Sequence, residues 1–184
     1  MKADPLIAPD LPEKAETKVY VPLTKEQAAL YESVLDDLLR GLGSRTGLAR
    51  RGAILAALTR LKQICDHPAL YIKEPRNRAP AAGESHKAAR LLDMVRELRS
   101  EGDRCLIFTQ FAEMGFMLKR LLERELAEPV LYLHGGTPKT ERDRMVAMFQ
   151  GGGEDAEAEI RPDGGAERAR PGIFVLSLKA GGAG

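Results

Sequence analysis

The sequence predicts an α/β protein, a parallel sheet flanked by helices and preceded by a helical segment. Three observations carry this reading. From Ser85 onward, short apolar runs rich in β-branched residues alternate with stretches of helical periodicity, the pattern of strand–helix–strand units with right-handed crossovers. Before that point lie two long amphipathic patterns. Between the two regions, residues 73–85 are polar and Pro-containing, so a linker and domain boundary is placed there. The expected organisation is 1–72, a connector with two amphipathic helices; 73–85, the linker; and 86–184, the sheet domain.

Taken in order, residues 1–23 are punctuated by Pro, with a strand-like stretch at Thr17–Val21. Thr24 with Gln27 three residues on is a capping box. The helix it opens places Tyr31, Val34, Leu35 and Leu38 on one face and ends at Gly41 and Gly43. A second helix places Ile54, Leu58, Leu61 and Cys65 on one face and Arg60 and Lys62 on the other. It stops at Asp66-His67-Pro68, because Pro disfavours helix at the residue before it.

Past the linker, a helix carries Leu91, Met94, Val95 and Leu98 inward. Cys105–Phe108 is short and apolar, and reads as a buried strand. The next helix presents Phe111, Met114, Leu118, Leu121 and Leu122 and ends before Pro129. Val130–Leu133 is the second strand. Thr137 followed by Pro138 gives an N-cap with Pro at the first helical position, and Met145, Met148 and Phe149 line that helix's inner face. Residues 151–170 carry many Gly, Glu, Asp and Arg and few apolar residues, the composition of a flexible insertion. Ile173–Ser177 is the third strand, and it passes straight into the glycine-rich Lys179-Ala-Gly-Gly-Ala-Gly184. A chain that stops on such a turn reads as a piece of a larger machine.

Composition narrows the function. The 184 residues, 43% hydrophobic and 30% charged, suffice for one core with a helical appendage. A net charge of +1 excludes a histone-like, strongly basic protein but not a local phosphate-binding edge. With no Trp and 5% aromatic residues, base-stacking platforms are disfavoured, so any nucleic-acid contact goes to the backbone. Two cysteines, Cys65 and Cys105, are too few for a zinc site or a disulfide framework and read as buried free thiols. No signal peptide or membrane-spanning run is present, which points to a soluble protein of the cytoplasm. The Ala, Arg and Gly bias is compatible with a bacterial source, where the nucleoid would be the setting.

Parallel strands put the turns that follow them along one edge, where α/β proteins bind ligands. Those turns are Thr109-Gln110, His134-Gly-Gly-Thr137 and Ser177-Leu-Lys-Ala-Gly-Gly182. Two of them open helices, whose free N–H groups suit phosphate.

Several segments, in order, resemble the second motor lobe of the Swi/Snf-type ATPases, helicase-like DNA motors of superfamily two. Leu106-Ile-Phe-Thr-Gln-Phe111 resembles the family's motif IV. Tyr132–Phe149 is similar to the segment between motifs IV and V, and Phe174–Gly184 to the opening of motif V. Leu61-Lys-Gln-Ile-Cys-Asp-His-Pro-Ala-Leu70 resembles the helix-end signature upstream of this lobe, and Leu11–Tyr31 the connector from the first lobe.

The resemblance implies a RecA-like fold, ATP and Mg2+ as cofactors of the complete protein, and ATP-driven translocation along duplex DNA. The implied partners are duplex DNA, the first RecA-like lobe of the same chain and protein substrates of remodelling. Thr109, Gln110, Ser177, Leu178 and Lys179 match positions that face the DNA backbone in the family. Gly181, Gly182 and Gly184 match the turn near the nucleotide cleft. The sequence lacks a G-x-x-x-x-G-K-[ST] loop and the arginines of motif VI, so the chain by itself is expected to be catalytically inactive, without tightly bound nucleotide or metal. His86 stands where the family commonly has glycine, and the 151–170 stretch is longer than usual.

Plainer readings stand beside these. His67 at a helix end and His134 at a turn fit structural or solvent-facing roles, since zinc needs three or four convergent ligands; His86 fits an exposed helix start. The Arg40–Arg51 cluster suits a solvated helix end or a DNA contact. Thr109-Gln110 also fits a polar cap on the following helix, and the same holds for Ser177. Glu141, Arg142, Asp143 and Arg144 form a charged outer helix face. The function classes left open are a strand-separating superfamily-two helicase, a non-catalytic DNA- or protein-binding module, and an unrelated nucleotide-binding domain.

Overall fold

A capping box starts the first helix. Gln27 N–H donates to Thr24 Oγ1 at 3.2 Å, and Thr24 N–H donates to Gln27 Oε1 at 3.1 Å, which satisfies two of the helix's orphan donors. The computed structural model describes residues 15–73, 80–151 and 171–178. Helix α1 spans Lys25–Leu42, α2 Gly47–Asp66 and α3 Pro68–Ile72. The sheet domain follows as α4 His86–Ser100, β1 Cys105–Thr109, α5 Ala112–Leu126, β2 Val130–Leu133, α6 Lys139–Gln150 and β3 Ile173–Ser177.

α1 and α2 form a hairpin around Val34, Ala57, Leu61 and Ile64, flanked by Leu30, Tyr31, Leu38 and Tyr71. Gln27 is almost wholly buried, and its amide Nε2 donates to the Ile64 carbonyl at 2.6 Å. A buried amide without a partner is costly, so this bond fixes how the two helices meet. The face of α2 expected to be inward is therefore corrected: Leu58 is exposed, and Ala57 and Ile64 are buried instead. α2 also carries Leu48 and Leu55 on its exposed surface. With apolar residues around the helix, periodicity alone does not choose its inner face. Leu35 of α1 is likewise exposed. Thr17–Val21 forms no strand, having no neighbouring strand to pair with. The helix does stop at Asp66, but α3 starts at once, with His67 Nδ1 accepting the Ala69 N–H at 3.2 Å and Pro68 in the first turn.

The sheet has the order β1-β3-β2, all parallel. Cys105 pairs with Ile173 and Thr109 with Ser177 on one side; Val130 pairs with Ile173 and Leu133 with Leu176 on the other. One face packs on α4 and α5 through Leu92, Val95, Met114, Leu118, Leu122, Ile107, Val130, Tyr132, Ile173 and Val175. On the opposite face, α6 lays Met145 and Phe149 against Leu133 and Phe174.

β2 and β3 have the predicted bounds and β1 runs one residue further, to Thr109, but five expectations change. Among the described residues β1 lies at the sheet's edge, and Leu106 and Phe108 on its second face are 51% and 58% exposed, because α6 covers only β2 and β3. α4 buries Ala88, Leu92 and Val95; Leu91, Met94 and Leu98 are half-buried. Pro138, not Thr137, is the N-cap of α6, because the Thr137 hydroxyl already accepts the His134 N–H at 3.1 Å. Met148 is exposed, and Cys65 and Cys105 are half-buried rather than buried. The expected insertion at 152–170 lies outside the described residues.

At the sheet's amino edge, Arg99 grips Glu128 through three N–H···O contacts of 2.9–3.1 Å. This hydrogen bonding pushes the Arg99 guanidinium pKa up, against the opposing effect of burial. The guanidinium lies over Gly172, where a Cβ would collide with it, and the Gly172 carbonyl accepts the Cys105 N–H at 2.9 Å.

The two regions are joined by a polar seam. Lys87 Nζ meets Asp66 Oδ1 at 2.6 Å, and Ser85 Oγ donates to the Asp66 carbonyl at 2.8 Å. His67 Nε2 lies 3.7 Å from Glu84, and His86 Nδ1 lies 3.1 Å from the Pro22 carbonyl. The end of the expected linker is thus built into the fold: Ala82–Glu84 is a 3-10 turn, and Ser85 is fully buried. No helix among the described residues is long and apolar enough to cross a membrane.

Two substitutions test this packing by urea denaturation. Ser85 Oγ also accepts the Ala88 N–H, so Ser85→Ala removes the cap of α4 and the seam bond together; a loss of about 1–2 kcal/mol is expected. Gly115→Ala drives a methyl group into the Tyr132 ring, whose hydroxyl is tied to the Ala112 carbonyl at 2.7 Å. A loss of about 1–3 kcal/mol is expected from overpacking. An unchanged unfolding midpoint in either variant would contradict the corresponding contact.

Candidate nucleic-acid interface

Because the register is parallel and in step, all three strands end at one edge, with Thr109 beside Ser177 and Leu133 beside Leu176. The turns after β1 and β2 therefore open at the same edge as the end of β3. Their side chains are not equally available. Gln110 and Leu178 are exposed. Thr109 and Ser177 are 7% and 2% exposed, on the face that packs against α5. The Thr109 hydroxyl donates to the Phe111 carbonyl at 3.5 Å, and α5 has no side-chain cap. Lys179, Gly181, Gly182 and Gly184 lie outside the described residues.

The middle turn is closed by its own hydrogen bonds. His134 N–H donates to Thr137 Oγ1, Thr137 N–H to the His134 carbonyl at 3.0 Å, and Gly136 N–H to His134 Nδ1 at 3.1 Å. The His134 ring leans on Phe116 and Tyr132, with centroids 5.2 Å from each. The ring is thereby held as a strut of the turn. Charges near the edge are mixed, with Glu113 in the first turn of α5 and Lys139 and Glu141 in that of α6. Such an edge offers amide and main-chain groups to phosphate without reading bases.

Gln110 also lines an open groove of about 370 Å³, together with Tyr31, Leu58, Lys62, Cys65, Asp66 and Lys87. The groove brings α1, α2 and the start of α4 beside the turn after β1. Sequence reasoning placed Lys62 on an outer helix face and did not single out Lys87; no local signal joins either one to Gln110.

Neither cysteine suits nucleophilic chemistry. Burial pushes the Cys65 thiol pKa up, with Lys87 opposing and Asp66 adding to the rise. Burial likewise raises that of Cys105, opposed by Arg99 and reinforced by Glu128. Both therefore stay protonated at neutral pH. Among the described residues no cluster of His, Cys, Asp or Glu could hold a metal ion.

Comparison with known proteins agrees with this architecture. Residues 86–156 match the helicase conserved C-terminal domain family. The chain is 44% identical over its whole length to YwqA of Bacillus subtilis (strain 168), provisionally named an ATP-dependent helicase/translocase, and it spans 18% of that protein. Among solved structures, the Sulfolobus solfataricus SWI2/SNF2 ATPase C-terminal domain is 38% identical, with a TM-score of 0.76 over 94% of this chain and 67% of that one. The Sulfolobus solfataricus SWI2/SNF2 ATPase core in complex with dsDNA is 37% identical, with a TM-score of 0.74 over 96% of this chain and 33% of that one. Shared sequence along nearly the full chain, carried on the same parallel RecA-like sheet, makes this chain a member of the SWI2/SNF2 ATPase family of helicase-like motors.

Proposed function

We propose that the chain is the inter-lobe region and the larger part of the second RecA-like lobe of an ATP-dependent motor that translocates along duplex DNA. The observation that carries this is the single carboxyl edge at which β1, β2 and β3 all end. A structural relative with the same fold was solved in complex with dsDNA. The proposed division is 1–72 connector, 73–85 linker and 86–184 lobe; the helicase C-terminal family match begins at residue 86.

In this reading Gln110 and Lys179 reach DNA phosphates through an amide and an ammonium. Leu178 flanks them. Thr109 and Ser177, being buried, act by shaping the edge and through main-chain groups. Gly181, Gly182 and Gly184 border the nucleotide cleft between the lobes. The complete protein is read as holding ATP with Mg2+ through a phosphate loop and an acidic metal-binding strand. Those elements are assigned to the first lobe of the complete protein, and the 184-residue chain is expected to bind nucleotide weakly at most, as titration calorimetry checks. Protein substrates of remodelling would be displaced as the motor moves.

The decisive assay is ATP turnover by the complete gene product alone, with RNA and with duplex DNA. Strong stimulation by the duplex is the expected outcome. Robust unwinding of blunt duplexes would favour a strand-separating helicase, and no turnover under any condition would favour a binding module. Lys179→Ala is expected to weaken duplex binding and to lower the slope of log affinity against log salt by about 1. An unchanged slope would remove Lys179 from the interface.

A further inference from the structure

The groove beside Gln110 joins residues from three parts of the chain that nothing in their sequence order connects. We propose that it is a second backbone-phosphate site for duplex DNA, with Lys62 as its main cation and Gln110 as its amide donor. Lys87 is divided between that phosphate and Asp66. The proposal rests on the duplex-DNA reading above and extends the contact surface from the sheet edge onto the inter-lobe helices.

Four observations support it. The groove is open and, at about 370 Å³, roomy enough to seat a phosphodiester. Lys62 is exposed and forms no ion pair among the described residues, so its charge is available. The first turn of α4 holds His86 and Lys87 and no acidic residue, although a helix N-terminus favours negative charge. The Asp66 carboxylate offsets this at 2.6 Å, while the Lys87 side chain stays 57% exposed. An incoming phosphate could therefore share Lys87 with Asp66. Finally, Arg51 and Lys62 are both exposed and about three turns apart on α2, so cationic groups continue along the helix away from the groove. The other groups facing the site are the Tyr31 ring, the Cys65 thiol and the apolar Leu58 and Leu61; none of them is a carboxylate. Asp66 is the one repulsive group in the lining.

The test uses the full-length protein and a labelled blunt duplex, with affinity followed by fluorescence anisotropy across a KCl series. Lys62→Gln removes the cation from an exposed site, so the fold is not at stake. It is expected to weaken binding several-fold and to lower the salt slope by about 0.9, the value for one phosphate contact. Asp66→Asn is expected to act in the opposite direction, tightening binding as Lys87 is released to the phosphate. A merely structural role for the Asp66–Lys87 pair predicts weaker binding instead, and that result would remove Lys87 from the site. Lys179→Ala, the variant that tests the sheet-edge reading, separates the two. If it weakens binding while Lys62→Gln leaves affinity and slope unchanged, the groove proposal is overturned and the sheet-edge reading stands. If neither variant changes binding, both are overturned.

Discussion

The rest of the structure depends on the placement of β3 between β1 and β2. These two earlier strands form no ladder with each other; each pairs only with Ile173–Ser177. The strand that arrives last in the chain is thus the one that makes the sheet. A central parallel strand is covered on both faces and reads as a near-continuous apolar run. Ile173, Phe174 and Val175 are each no more than 3% exposed. Its register then fixes everything at the carboxyl edge, because a shift of one residue would exchange the faces of every side chain on it. At the other end, Arg99 over Gly172, clamped by Glu128, holds the entry to β3 against the entry to β1. A side chain at 172 would have to displace the Arg99 guanidinium from over the backbone there.

The second constraint is polar. Asp66, His67, Glu84, Ser85 and Lys87 tie the end of α2 to the start of α4, and Gln27 ties α1 to α2 from within. Side-chain hydrogen bonds of this kind add little net stability when made, but leave costly orphans when broken. Their effect is geometric. The inter-lobe hairpin sits against the sheet domain in one orientation, and that orientation creates the groove beside Gln110. The seam and the carboxyl edge therefore form one surface, with the cations contributed by helices and the amide by the turn after β1.

Sequence by itself determined the elements whose causes are local. The capping box of α1 was legible because Thr24 and Gln27 satisfy each other within one turn. β1, β2 and β3 were legible because short apolar, β-branched runs bounded by turn residues have few alternatives. The inward face of α5 was legible because Met114, Leu118, Leu121 and Leu122 share one stripe opposite a charged one. The shared edge at which all three strands end followed as well, since parallel strands leave no other arrangement.

Only the tertiary structure decided what depends on a partner far away in sequence. α2 is apolar around much of its surface, so Gln27 on another helix selected Ala57 and Ile64 over Leu58 as its core face. Leu106 and Phe108 lie open because strand order, which no single strand encodes, put β1 at the edge. Thr109 and Ser177 were singled out as groups facing phosphate, and the pleat turned both toward α5 and into the interior. Lys62 and Gln110 came to line one groove through packing between helices and sheet. In each case the deciding energy is shared between residues that are distant in the chain, so it leaves no mark on the local pattern.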